Sequence, residues 1–398
     1  MRILTFTSLF PNAVRPSTNI FIYQRVAALA MRPGNEVRVV APIPYLPKWL
    51  PRSSRSWMND VPKQETIGNL NIYHPRYLLI PKLSMPLQGW SMFRGSRDLV
   101  ERLREDCDFD CIDAHYIYPD CFAAVLLGRH LGKPVMVSGR GTDINLFPSF
   151  RLIRPMIRWT LRNAAGITAV SHALKCCMSQ LVGGEQEIRV IGNGVDVERF
   201  HPVDRQVARR QLGIAEDCTM IVAVGGLLQS KGFQFLIRAF GELTPRYPNL
   251  SLYIIGEGPF RASLQDLIQS LRLSERASLV GARPHSELKY WFSAADVSCL
   301  PSMREGQPNV VLESLACGTP VVASKVGGIP EVLDSPKLGM LAEDLHSLAP
   351  SLEQALHTNW DRRQLALHVA QRTWYDVALE VEEYLKTICE CWREGMNR

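Results

Sequence analysis

Short apolar runs alternate with amphipathic stretches along almost the whole chain. Residues 2–7 (RILTFT) have the β-branched and aromatic content of a buried strand. IFIYQRVAALAM follows with apolar residues at helical spacing, then the strand-like EVRVVAP. CIDAHYI, CFAAVLLGRHLG, PVMVSG, GITAVS and IRVIGNGV continue the series, and after Pro202 it starts again. MIVAVGGL, a helix predicted over 233–243, LSLYIIGEG, RASLVGA, VSCLPS, a further helix and PVVAS come in turn. Strands and helices in this rhythm build parallel sheets with helices on both faces. A chain of 398 residues also exceeds what one core usually holds. The pattern therefore predicts an α/β protein of two doubly wound, Rossmann-like domains, 1–202 and 203–374. A C-terminal helix, 375–398, is expected to pack back on the first.

In open α/β sheets ligands bind beyond the carboxyl ends of the strands. His115 follows CIDA there, and Arg140 and Asp143 lie in GRGTD after PVMVS. Gly225, Gly226 and Lys231 follow MIVAV, Glu257 follows LYIIG, and Glu305 follows VSCLPS. Lys231 precedes the glycine that opens a helix, so its charge can reach a phosphate above the helix N-terminus. A solvated loop lysine is the competing reading, as a loop charge is for Glu305. Glu305 and Glu313 flank REGQPNVVLE, a Gly-Gln-Pro-Asn turn leading into a helix, with Glu313 expected two turns inside it. Its neighbours Val310, Val311, Leu312, Leu315 and Ala316 are apolar, and a carboxylate in that setting needs partners for its desolvation.

Charge changes the picture in one half only. The net +6 comes from 45 basic and 39 acidic residues. Residues 31–100 hold ten Lys/Arg against four Asp/Glu, and 129–163 hold seven against one, which points to an acidic substrate or surface. RLIRPMIRWTLR sets Arg151, Arg154, Arg158 and Arg162 on one stripe among apolar residues, a pattern suited to an anionic membrane interface, with a solvated arginine face over a domain core as the competing reading. Trp49, Trp57, Trp90 and YLLIPKLSMPLQGW add apolar material nearby. No apolar run approaches the roughly 18 residues of a membrane span, and the N-terminus lacks a signal-peptide pattern. The ten cysteines form no Cys-x2-Cys pairs, so reduced, mostly buried thiols in a cytoplasmic protein are expected.

GEGPFRASL lacks the third glycine of a dinucleotide fingerprint, since Arg261 stands there, and P-loop, HExxH and G-x-S-x-G motifs are absent. REGQPNVVLESLACGTPVVASKVGGIPEVL, by contrast, resembles the signature of family 4 glycosyltransferases, which have the GT-B fold. VIGNGVDVERFHP, VAVGGLLQSKGFQFLIRAF, IIGEGPFR, VGARPHSEL and AADVSCLPS fall in family order. The N-terminal FPNAVRPSTNIFIYQRVAALA and VSGRGTDIN are similar to the branch making teichuronic acids and other cell-surface polysaccharides.

The resemblance implies two domains facing across a cleft and a retaining transfer from a nucleotide diphosphate sugar to a hydroxyl of a lipid-linked or oligosaccharide acceptor. It implies that Glu313 binds the donor ribose. Glu305, with the turn Gly306, Gln307, Pro308 and Asn309, would hold the transferred sugar and its diphosphate beside Lys231. Gly226, Glu257, Arg283 and Val310 complete the implied donor site, while Arg140, Asp143 and His115 are candidates to orient acceptor or sugar. No metal, no cofactor and no nucleic-acid partner is expected, and the location is cytoplasmic, with peripheral contact at the inner face of the membrane. Two departures stand out: Gly226 replaces a frequent Arg, for which Arg304 or Arg140 could substitute, and Ser17-Thr18-Asn19 replaces a glycine loop. A non-catalytic subunit of a polysaccharide assembly complex is one alternative. A sugar-nucleotide epimerase of the same fold is another, against which the spaced glutamates followed by Gly327, Gly328, Pro330 and Glu331 weigh.

Overall fold

The computed structural model describes residues 1–45, 56–80, 85–184 and 186–396. The chain divides into two units, Met1–Asn193 with Trp374–Arg398, and Gly194–Thr373. The break falls ahead of 202, because the chain beyond Asn193 already belongs to the second unit. The Val195 N–H donates to the Arg372 carbonyl at 3.1 Å. Phe200 is buried there and packs tilted against Phe292.

In the first unit β1 (Arg2–Phe6) and β2 (Glu36–Val40) are joined in one sheet by β4 (Gln64–Ile67), β5 (Leu70–Tyr73), β7 (Cys111–His115), β8 (Val135–Gly139), β9 (Gly166–Ala169) and β10 (Arg189–Val190). Their order is β10-β9-β8-β7-β1-β2-β5-β4, parallel except for the β4–β5 hairpin. β3 (Ile43–Tyr45) and β6 (Arg76–Leu78) form a separate parallel pair. Strands buried on both faces read as continuous apolar runs, and β7, β8 and β9 are buried at every position. The helix Trp374–Met396 closes one face, setting Val381, Leu385 and Ile388 in a core with Ile22 and Val26 of the Ile20–Ala30 helix.

The second unit holds β11 (Thr219–Val224), β12 (Leu250–Ile255), β13 (Ala277–Gly281), β14 (Val297–Leu300), β15 (Val321–Ser324) and β16 (Gly339–Ala342). The order β13-β12-β11-β14-β15-β16 is wholly parallel and reverses direction between β11 and β14. Loops leaving two strands on either side of such a reversal diverge and leave room for a ligand. In the first unit the reversal lies between β1 and β7.

Half of the cysteines, Cys111, Cys121, Cys299, Cys317 and Cys389, are buried free thiols, whereas Cys176, Cys177 and Cys391 are exposed. The exposed ones sit on the outer faces of helices, where burial was not available to them.

One buried carboxylate ties the two loops at the first unit's reversal. Asp120 accepts from the Ser8 hydroxyl at 3.0 Å, from the Ser8 N–H and from the Thr7 hydroxyl at 3.3 Å. Burial nevertheless pushes its carboxyl up to about 7, against the pull of those donors. A carboxyl raised on folding binds its proton more tightly in the folded state. The resulting stability is fully present below the unfolded value of about 4 and is lost as pH rises through about 7. Asp120→Asn, neutral at every pH, should therefore flatten the fall in melting temperature between pH 5 and pH 8. An undiminished fall in the variant would assign the pH dependence to another group.

Candidate active site

The β11–β14 reversal of the second unit brings Lys231 and Glu305 together. Lys231 ends the turn Gln229–Lys231, and Gly232 after it takes φ 71°. A Cβ on Gly232 would lie 1.8 Å from the Pro301 carbonyl oxygen, so only glycine lets this loop press on the end of β14. The Lys231 ammonium then donates to Glu305 Oε1 at 2.5 Å, and the Ser302 hydroxyl donates to the same oxygen at 2.7 Å. Behind Glu305 the Gly-Gly of GGIPE supports the loop. The Gly328 N–H donates to the Gly306 carbonyl at 2.8 Å, and a Cβ on Gly327 (φ 54°) would stand 2.1 Å from the Glu305 carbonyl.

Glu313 engages other partners. The helix begins at Asn309 with Pro308 extended at its cap, so Glu313 sits one turn inside it and not two. Gly306 and Pro308 are buried in the turn, while Gln307, Asn309 and Val310 are half-buried. Glu313 is only 6% exposed, and His285 Nε2 lies 2.9 Å from its Oε1. Arg199 Nη1 lies 3.0 Å from His285 Nδ1. Arginine only donates, so Nδ1 accepts, and the ring carries its proton on Nε2 and donates it to Glu313. Asp196 holds the Arg199 guanidinium at 3.7 Å.

Sequence reasoning missed His285 and Arg199 as site residues, although VGARPHSEL had been singled out. The signal was a histidine two residues after Arg283 at a strand end. Arg283 itself is exposed, as is Glu257, which pairs with Arg261 at 3.2 Å. Gly226 is exposed too, and a Cβ there would meet nothing nearer than 3.9 Å, so a side chain would fit. Arg304 is exposed beside Glu305. Among the described residues, no three His, Cys, Asp or Glu side chains gather to hold a metal ion.

In the first unit His115, Arg140 and Asp143 share one cluster. Arg140 Nη2 donates to His115 Nδ1 at 2.7 Å. The ring is wholly buried, and burial, reinforced by Arg140 and Arg25, depresses it to about 4 against the pull of Asp113. His115 is thus neutral at physiological pH. Burial and the nearby Arg25 also lower Arg140 to about 9. Asp143 accepts from the backbone N–H groups of Ile117 at 2.8 Å, Gly141 at 2.7 Å and Arg140 at 3.1 Å. Burial raises it against those donors, and its oxygens shape the 140–143 turn. Asn19, in the loop where glycine was expected, takes φ 52°, a left-handed conformation that asparagine tolerates better than most residues.

Comparison with known proteins identifies the family. The profile described as Glycosyltransferase Family 4 matches residues 19–199, and Glycosyl transferases group 1 matches residues 204–370. The chain is 26% identical over 338 residues to a putative teichuronic acid biosynthesis glycosyltransferase, TuaC, of Bacillus subtilis (strain 168), covering 83% of this chain and 82% of that one. It is 27% identical over 351 residues to a GDP-mannose-dependent alpha-(1-6)-phosphatidylinositol monomannoside mannosyltransferase of Mycolicibacterium smegmatis, covering 86% and 87%. HepE of Anabaena, crystallised in complex with UDP and glucose, shares the fold. Its TM-score is 0.70 at 18% identity, over 97% of this chain and 99% of that one. With two parallel-sheet units matched in order along their length, this chain belongs to the family 4 glycosyltransferases and has the GT-B fold.

Proposed function

We propose that the protein transfers a glycosyl group from a nucleoside diphosphate sugar to a hydroxyl of a lipid-linked glycan acceptor, with retention of configuration and without a metal ion. The observation that carries this reading is the Lys231–Glu305 contact, made beside the Asn309–Ala316 helix. A helix N-terminus and an ammonium together favour the negative charge that grows on a departing diphosphate. Lys231 keeps further N–H donors for phosphate oxygens while Glu305 holds it in place. Glu313, steadied by His285, keeps its second oxygen for a ribose hydroxyl. The acceptor oxygen forms a bond to the anomeric carbon as the bond from that carbon to the phosphate oxygen breaks. The leaving oxygen takes the acceptor's proton, so no enzymatic base enters. HepE's complex with UDP and the mycobacterial relative's GDP-mannose dependence support a sugar-nucleotide donor.

The phosphatidylinositol monomannoside in one relative's name and the teichuronic acid biosynthesis in another's support a lipid-linked, cell-surface product. A basic and apolar surface of the first unit supports contact with such a membrane. Pro155 sits in the first turn of the Arg154–Asn163 helix, where its missing N–H is tolerated. Arg151, Arg154, Arg158 and Arg162 line one open groove with Trp159, while Phe150 and Leu152, the latter 70% exposed, project nearby. Phe122 joins this patch to exposed Trp90, with ring centroids 5.2 Å from Trp159 and 5.5 Å from Trp90. Cations interleaved with exposed apolar side chains suit an anionic bilayer surface at the inner face of the cell membrane. Trp57 is covered by the Arg15 guanidinium, and Trp49 lies outside the described residues. Among the described residues no helix is long and apolar enough to cross a membrane.

Incubation with a panel of UDP-, GDP- and ADP-sugars should release nucleotide from at least one, and release should survive EDTA. Binding without release would favour the non-catalytic reading, for which Gly226 is the support. Glu305→Gln should lower kcat by roughly 10²-fold with nucleotide affinity nearly intact, because the charge it meets develops during transfer. Glu313→Gln should instead raise the donor KM about tenfold, the effect of one charge-assisted hydrogen bond made equally in ground and transition states. Equal losses of nucleotide binding in both, with turnover unchanged, would show the glutamates to be structural. Replacing Arg151, Arg154, Arg158 and Arg162 by Ser should abolish sedimentation with phosphatidylglycerol vesicles at low salt. Retained sedimentation would move the membrane contact elsewhere.

A further inference from the structure

The first unit's sheet carries a polar seam through a face that is otherwise apolar. Asp113 and His115, two apart on β7, point to one side of the sheet. The register sets Thr5 beside Asp113, Ser138 beside His115 and Thr168 beside Ser138, on that same side. Below the seam the face is filled by Ile3, Cys111 and Met136, packed with the Ile20–Ala30 and Trp374–Met396 helices. Into the seam the Ile20–Ala30 helix delivers Arg25, 2% exposed, opposite Asp113, 0% exposed.

The contacts run in one line. Arg25 Nη1 donates to the Ser138 hydroxyl at 3.3 Å, and Ser138 meets the Thr168 hydroxyl at 2.7 Å. Arg25 Nη2 stands 3.6 Å from Asp113 Oδ1, and Asp113 Oδ2 stands 3.4 Å from His115 Nε2. Arg140 closes the line on His115 Nδ1 at 2.7 Å. Because that nitrogen accepts, the ring proton sits on Nε2 and faces the Asp113 carboxylate.

As a source of stability the Arg25–Asp113 pair is poor. Neither Asp113 oxygen has a hydrogen-bond partner among the described residues, and neither do Arg25 Nε and Nη2. A buried ion pair repays its desolvation only when geometry is good and the remaining donors and acceptors are satisfied. What the pair does provide is direction. Asp113 gives the imidazole N–H a fixed negative charge to face, and Arg25 neutralises Asp113 so that it can remain buried and ionised. The Arg140 guanidinium, whose Nε is buried without a partner, is thereby held at the carboxyl end of β8, where sheets of this kind meet their ligands.

We propose that Arg25 and Asp113 are a positioning pair, which locks the His115 imidazole as its Nε2–H tautomer and so aims Arg140 at an anionic group, phosphate or carboxylate, of the substrate. Neither residue touches the substrate. The inference rests on the proposed transferase function, but its test needs no turnover. A failed donor panel would therefore count against glycosyl transfer and leave the pair to be judged separately.

The experiment uses the full chain labelled with ¹⁵N-histidine, with His115→Gln to identify the signal. Long-range ¹H–¹⁵N spectra at neutral pH should show His115 as one neutral Nε2–H species. A wild-type ring that is protonated or carries its proton on Nδ1 would overturn the proposal outright. Asp113→Leu alone leaves Arg25 uncompensated and is expected to unfold. Arg25→Met/Asp113→Leu removes both charges and should melt no lower than wild type, since apolar replacement of a buried pair is commonly neutral or stabilising. In that double variant His115 should populate both tautomers, and the Arg140 guanidinium should lose its hindered rotation. Arg25→Lys, which keeps the charge opposite Asp113, should retain the single species. A folded double variant with an unchanged Nε2–H pattern would show that Arg140 alone orders the ring, and the pair would have no positioning role.

Discussion

A lysine ammonium and a carboxylate 2.5 Å apart set the constraint on which the second unit's site depends. Lys231 and Glu305 lie 74 residues apart, on loops leaving β11 and β14, and they meet only if both loops approach without side chains in the way. A Cβ on Gly232 would strike the Pro301 carbonyl and one on Gly327 the Glu305 backbone, so both approaches need glycine. The glycines around the glutamates therefore follow from the ion pair.

Both units use histidine in the same way, as an insulated connector between an arginine and a carboxylate. His285 accepts from Arg199 and donates to Glu313, and His115 accepts from Arg140 and faces Asp113. An imidazole that accepts at one nitrogen and presents its N–H at the other passes orientation from one charged group to another. The two differ in which end serves the ligand. In the second unit the carboxylate, Glu313, is the group the proposed function gives to the donor, while in the first the carboxylate is the innermost group and the arginine stands at the strand end.

Much of the fold was legible because parallel strands buried on both faces leave continuous apolar runs, and the helices between them leave a period that needs no tertiary information. The Phe233–Leu243 helix falls on the predicted residues. The domain boundary was harder, because the segment after IRVIGN has no pattern of its own and follows whichever core it pairs with, here through Val195 and Phe200. Glu313 lies one turn inside its helix because the helix begins only at Asn309, after the turn that Pro308 closes. At the site, the glutamates and Lys231 stood out by motif. Their partners did not, since Arg199 and His285 are 86 residues apart and Arg25 and Ser138 are 113 apart. No local period records a contact over that distance.

Arg25 shows why such residues escape a reading by pattern. In IFIYQRVAALA it occupies a position that faces the core, where helical spacing calls for an apolar side chain. Taken locally it is a fault in an amphipathic helix. Opposite Asp113, itself a fault in an apolar strand, it cancels a charge that the sheet could not otherwise bury. Two breaches of the hydrophobic pattern that meet in space are a better pointer to function than either alone. A core that needed only to be stable would have replaced both with apolar side chains.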